Sequence, residues 1–175
     1  MTRRLLAPAA LCTALALVLA LAGCSPKYNW RDYASPDAAY RVTFPAKPST
    51  FTRTIDLDGM PVAMTMTAAE VDGATFAVGT AEAPDAARAQ AALEAMQVAL
   101  MRNIDATATR QKATAAGEHA TRDVEATGKN RGQPMRLVGH FEARGKRFYQ
   151  VIALGKPDAL PPEQVDQFLT SFKLP

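Results

Sequence analysis

The sequence predicts an α+β domain: an antiparallel β-sheet of about seven to eight strands with two helices packed on it, in the order ββββαββββα. Three observations carry this expectation. Two Asp-Gly pairs, Asp58-Gly59 and Asp72-Gly73, separate runs in which apolar residues alternate, as in hairpins. Two later segments change to a period of 3.6 residues. No Pro-, Gly- or Ser-rich linker divides residues 38–175, so a single domain is expected there.

Taken in order, Tyr40–Phe44 alternates and stops at Pro45. Phe51–Leu57 is the next strand, with Ile55 and Leu57 on the Phe51 side. Met60–Ala69 places Val62, Met64, Met66 and Ala68 on one face, and Ala74–Ala81 carries Phe76 and Val78 in register. These runs predict an up-and-down meander. Pro84-Asp85 is a helix entry, and Ala86–Ile104 contains neither Gly nor Pro. Leu93, Met96, Leu100 and Ile104 form its apolar stripe. Thr107–Thr114 is polar and reads as an edge strand. His119–Thr127, Met135–Ala143 and Arg147–Leu154 complete the second set of strands. In the middle one, Met135, Leu137, Gly139, Phe141 and Ala143 share one face, and Arg136, His140 and Glu142 share the other. Pro161-Pro162-Glu163 opens a last helix with Val165, Phe168, Leu169 and Phe172 on one side.

The amino-terminal region is of a different kind. Arg3 and Arg4 precede an apolar run from Leu11 to Leu21, too short for a membrane-spanning helix of about 20 residues. A charged segment, a short apolar segment and a small-residue site make residues 1–23 a signal peptide in this reading. The ending Leu21-Ala22-Gly23-Cys24 resembles the lipobox of bacterial lipoproteins. That resemblance implies lipidation of Cys24 through its thiolate, with cleavage before it and acyl (palmitate-type) chains holding the protein to the membrane. Ser25 rather than Asp after the cysteine favours the periplasmic face of the outer membrane. Residues 24–37 read as a lipidated tether, since Pro26 and Pro36 discourage regular structure and Asn29, Asp32 and Ser35 favour turns. Trp30, with Tyr28 and Tyr33, either sits among headgroups or packs on the domain as a lead-in to the first strand.

Charge follows from the same division. The 175-residue chain has a formal charge of +3, but without Arg3 and Arg4 its 20 basic residues become 18, against 17 acidic. Near-neutrality excludes an electrostatic nucleic-acid binder. Cys12 also leaves with the leader, so no internal disulfide is expected.

The element order, the segment Tyr40–Pro48 and Phe168–Phe172 together resemble the PsbP-like fold, which includes the extrinsic photosystem subunit and bacterial lipoproteins of the DcrB type. The resemblance implies a small exported accessory or binding protein in the cell envelope, and it brings no catalytic residue.

The residues themselves offer little chemistry. No Gly-x-Ser-x-Gly turn is present, and the serines after the cysteine are Ser25, Ser35, Ser49 and Ser171. His119 and His140 lack metal-ligand spacing, so no metal, cofactor or catalytic residue is expected. Met64 and Met66 would suit Cu(I), but Val62 and Ala68 share their face, so the row reads as core. Asp56 and Asp58 flank a turn, and Asp123 and Glu125 share a solvated strand face. Two basic loops, Lys129–Arg131 and Arg144–Arg147, bracket one strand and therefore lie at opposite ends. Ala77, Gly79, Ala81, Gly139, Ala143, Ala89, Ala92 and Ala99 are small residues that either let the helix approach the sheet or line a cavity for an apolar ligand. The expected function is a lipid-anchored, non-catalytic interaction module with an envelope protein partner. The alternative is a carrier or sensor of an apolar ligand, with an enzyme a distant third.

Overall fold

The computed structural model describes residues 27–175. The segment 1–23 expected to be a signal peptide, and Cys24, lie outside the described residues. Nine strands are described: β1 (Arg31–Ala34), β2 (Arg41–Phe44), β3 (Ser49–Leu57), β4 (Met60–Val71), β5 (Ala74–Glu82), β6 (Thr107–Ala116), β7 (His119–Asn130), β8 (Gln133–Arg144) and β9 (Arg147–Gly155). Helix α1 spans Ala86–Asn103 and α2 spans Pro162–Ser171. Seven strands form an antiparallel sheet in the order β3-β4-β5-β9-β8-β7-β6. The α+β class and the meander β3–β4–β5 are as expected, and β6 is an edge strand.

Two local expectations change. Tyr40–Phe44 does not start the meander: β2 pairs instead with β1 in a separate antiparallel ribbon. β1 itself falls within the segment expected to be an irregular tether, so the folded body begins upstream of residue 38. Its four residues are held by neighbours rather than by their own pattern. Thr43 donates to Asp32 across the pair at 2.9 Å, Tyr33 packs edge-on against Phe44, and the Asn29 amide donates to the Pro45 carbonyl at 2.8 Å. Trp30 is half-buried against the same core, which is the packed alternative for these rings.

The tight turns follow from chemistry. Asp58-Gly59, Asp72-Gly73 and Arg131-Gly132 all have both residues at positive φ, matching the right-handed twist of the flanking strands. Helix α1 begins where the Asp85 carboxylate accepts from the Arg88 amide at 2.8 Å. It crosses β7, β8 and β9 on one face of the sheet. Ala89, Ala92, Leu93 and Met96 are buried there with Phe141, Phe148 and Ile152. Each such large side chain contributes about 1.5–3 kcal/mol by leaving water. The helix ends at Ile104, whose carbonyl accepts from the Lys129 amide at 2.6 Å.

The opposite face is covered by α2 and the ribbon. Phe44, Phe76, Val78, Val151, Val165 and Phe168 make this second core. Phe168 packs on both Phe44 and Phe76, at centroid distances of 5.5 and 5.4 Å. The result is three layers: α1, the sheet, and the ribbon with α2. α2 is short and packs on β2, β8 and β9. That leaves the β6–β7 part of this face uncovered, and the candidate site lies there.

Candidate functional site

Strand alternation places Val138, His140, Glu142 and Arg144 of β8 on the face away from α1. Register brings Asp123 opposite His140, Glu125 opposite Val138, and Lys112 opposite Asp123. The last turn of α2 and the tail behind it supply an apolar wall, Leu169, Phe172 and Leu174. Together they enclose an open groove of about 630 Å³.

Its floor is a connected charge network. His140 Nδ1 lies 2.6 Å from Asp123 Oδ1, and its Nε2 lies 3.4 Å from Glu142 Oε2. His119 Nε2 and Arg144 Nε converge on Glu142 Oε1 at 2.9 and 2.8 Å. Arg110 and Arg136 bracket Glu125 at 3.0 and 3.5 Å. Burial opposes the charge of Glu142, but the hydrogen bonds from His140, His119 and Arg144 outweigh it and hold the carboxyl down at about 2. Burial likewise opposes a charged His140, and the bonds to Glu142 and Asp123 outweigh it, so that imidazole titrates above its ordinary value.

The polar groups on this floor are largely engaged with one another. Both His140 nitrogens face carboxylates, which favours the charged ring and engages both nitrogens. Thr170 is the one hydroxyl on the groove, and it donates to the Asp166 carbonyl of its own helix at 2.6 Å. Among the described residues, no group of three or more His, Cys, Asp or Glu is placed to hold a metal ion. The carboxylates on the floor all have cationic partners. Lys112 and Lys173 have no ion pair among the described residues, and both line the groove.

The other sequence candidates fall elsewhere. Asp56 accepts from the Gly59 amide at 2.7 Å, a turn role. Met64 is buried in the α1-side core, and Met66 Sδ accepts from Gln150 Nε2 at 3.4 Å. The basic loops sit at opposite ends of β8. Ala77, Ala81, Ala89, Ala92 and Ala143 belong to the α1-side core, and the space over Gly79 is filled by Met66 and Gln150. Asp123 and Glu125 do share a strand face, as expected. Sequence reasoning missed Glu142 as a partner of His140, and His119 and Arg144 as partners of Glu142. The available signal was the polar face of Met135–Ala143, where charged residues recur on a strand otherwise built for a core.

No protein-family model and no curated protein sequence matches the chain. The fold is nevertheless shared with a solved structure. The chain is similar to cyanobacterial PsbP (CyanoP) from Synechocystis sp., with a TM-score of 0.51 and 11% identity over 89% of this chain and 99% of that one. This is the PsbP-like fold expected from the element order. A looser likeness, with a TM-score of 0.38 and 14% identity, is to the immunity protein TplEi of the T6SS from Pseudomonas aeruginosa, over 83% of this chain and 54% of that one.

Proposed function

We propose that this chain is a lipid-anchored envelope protein, held through Cys24 at the periplasmic face of the outer membrane, that acts as a non-catalytic interaction module. The β6–β8 groove is its docking site. The carrying observation is the pairing of an apolar wall, Phe172 and Leu174, with two lysines that have no carboxylate partner among the described residues, Lys112 and Lys173. A protein segment presenting an acidic side chain beside an apolar one matches both features. The floor charges, already neutralised in pairs, position the groove without competing for that acid. The anchor rests on Leu21-Ala22-Gly23-Cys24 after a charged and an apolar segment.

The test has two parts. Palmitate labelling of cells is expected to mark the wild type and not Cys24→Ser. A photo-crosslinker at Leu174 is expected to capture one partner that a crosslinker at Val98, exposed on α1, does not. Lys112→Glu/Lys173→Glu is expected to abolish that adduct. Self-adducts alone from Leu174, or capture from Val98 only, would overturn the groove assignment.

A further inference from the structure

The end of the sheet at which the chain enters carries a second interaction surface. Strand register sets which turns share that end. Thr75 pairs with Leu154 and Arg136 with Gly155, so the Asp72-Gly73 turn, the Arg131-Gly132 turn and Lys156 lie together. Lys47 joins them, because it precedes β3, whose Ser49 pairs with Ala68 near the close of β4. Asp105 is there too, since the Lys129 amide bonds the Ile104 carbonyl.

The chain is fastened at this end. Lys27 Nζ is 2.6 Å from Asp72 Oδ2, and the Asn29 amide is bonded to Pro45. Three peptide units separate Cys24 from Lys27, which limits their Cα separation to about 11 Å. A lipid on Cys24 therefore keeps this end of the domain near the headgroups.

Charge agrees with that placement. The end carries Lys27, Lys47, Arg102, Lys129, Arg131 and Lys156 against Glu70, Asp72, Asp105, Asp158 and Glu163. Of these, Lys47, Lys129, Arg131 and Lys156 are exposed and make no ion pair among the described residues. The far end reverses the sign, with Asp56, Asp58, Glu82, Asp85 and Glu118 against Arg88, Arg144, Lys146 and Arg147. From Arg136 to Arg144 the strand runs roughly 26 Å. That exceeds the Debye length of about 8 Å, so the two ends meet a charged surface independently.

We infer that the turn end bearing Lys47, Lys129, Arg131 and Lys156 faces an anionic lipid headgroup layer and seats the domain on it. This rests on the lipid attachment proposed for Cys24. Each basic residue close to such a layer strengthens adsorption about fivefold.

The experiment uses the full lipoprotein, purified with its anchor and reconstituted into phosphatidylglycerol–phosphatidylethanolamine vesicles bearing a headgroup nitroxide. A fluorophore is placed on Asn130→Cys or on Lys146→Cys, both exposed turn positions at opposite ends. The intact mass of each preparation reports whether Cys24 carries lipid. Loss of fluorescence is expected at 130 and none at 146, and the loss at 130 is expected to shrink when phosphatidylcholine replaces the anionic lipid. Lipidated protein with equal quenching at both positions, or quenching indifferent to lipid charge, overturns the inference and leaves the anchor intact. An unmodified Cys24 overturns the anchor, and the seating falls with it.

Discussion

Replacing Glu142 by Gln removes the carboxylate on which His119, His140 and Arg144 converge. The Glu142 side chain is only 10% exposed, and its three partners lower its pKa from an ordinary 4.5 to about 2. A shift of that size corresponds to about 3 kcal/mol through proton linkage. His119 and Arg144 are about half exposed, so screening by solvent reduces the usable part to about 1–2 kcal/mol. Because the folded-state pKa is depressed, this contribution is present above pH 4.5 and is lost as pH falls toward 2. His140 acts in the opposite sense. Its pKa is raised, so its contribution is complete below its ordinary 6.5 and disappears as pH rises through the folded value. The wild type is therefore expected to draw most from this network between about pH 4.5 and 6.5. Urea unfolding of the chain from Lys27 onward, repeated from pH 2 to 8, measures this directly. Glu142→Gln is expected to lose about 1–2 kcal/mol at pH 5.5, and to lose the wild type's decline below pH 4.5 along with the network. Stability curves for the two proteins that run parallel across this range would refute the reasoning.

Four further outcomes are expected, with the costs read by thermal or urea denaturation. Gly128→Ala places a Cβ against the Ile104 carbonyl oxygen and the Ala106 Cα, which are backbone and cannot yield, so it costs about 3 kcal/mol or more. Gly79→Ala meets only the Met66 and Gln150 side chains and costs about 1–2 kcal/mol; a larger penalty at 79 than at 128 contradicts this. Asp85→Ala removes the cap of α1 and costs about 1 kcal/mol, whereas Asp85→Asn retains most of it. Phe168→Ala empties the contact between α2, Phe44 and Phe76 and costs about 3–5 kcal/mol, with the α2-side core losing its near-ultraviolet aromatic signal first.

The long elements were legible because their patterns repeat. Leu93 and Met96 mark the buried stripe of α1, and the two Asp-Gly turns set the register of β3, β4 and β5. β1 was not legible. Arg31–Ala34 has one aromatic residue and too few positions to show a period, and its order comes from Thr43, Phe44 and Pro45 in the chain that follows. The site was half legible. His140, Asp123 and Glu125 each stand out in the sequence, but their adjacency depends on the register of β7 against β8. That register is set by the two-residue turn Arg131-Gly132, whose basic neighbours read simply as a charged loop. The groove wall was hidden for another reason. Phe172 reads as part of the apolar stripe of α2, and it is indeed buried against Tyr40 and Tyr149; that the same ring also borders His140 and the groove depends on the tertiary fold.

The ribbon also sets the order in which the protein can fold. β2 precedes the seven-stranded sheet in the chain, and its fixed partners lie more than a hundred residues downstream. The Thr43 amide donates to Ser171 Oγ at 2.9 Å, and Arg41 and Lys173 bond each other's backbone at 2.9 Å in both directions. Tyr40 and Phe44 therefore have no final cover until Phe168 and Phe172 exist. Contacts so distant in sequence make folding slow. They also make it late: the second core stays open until α2 and the residues behind it have docked on the ribbon.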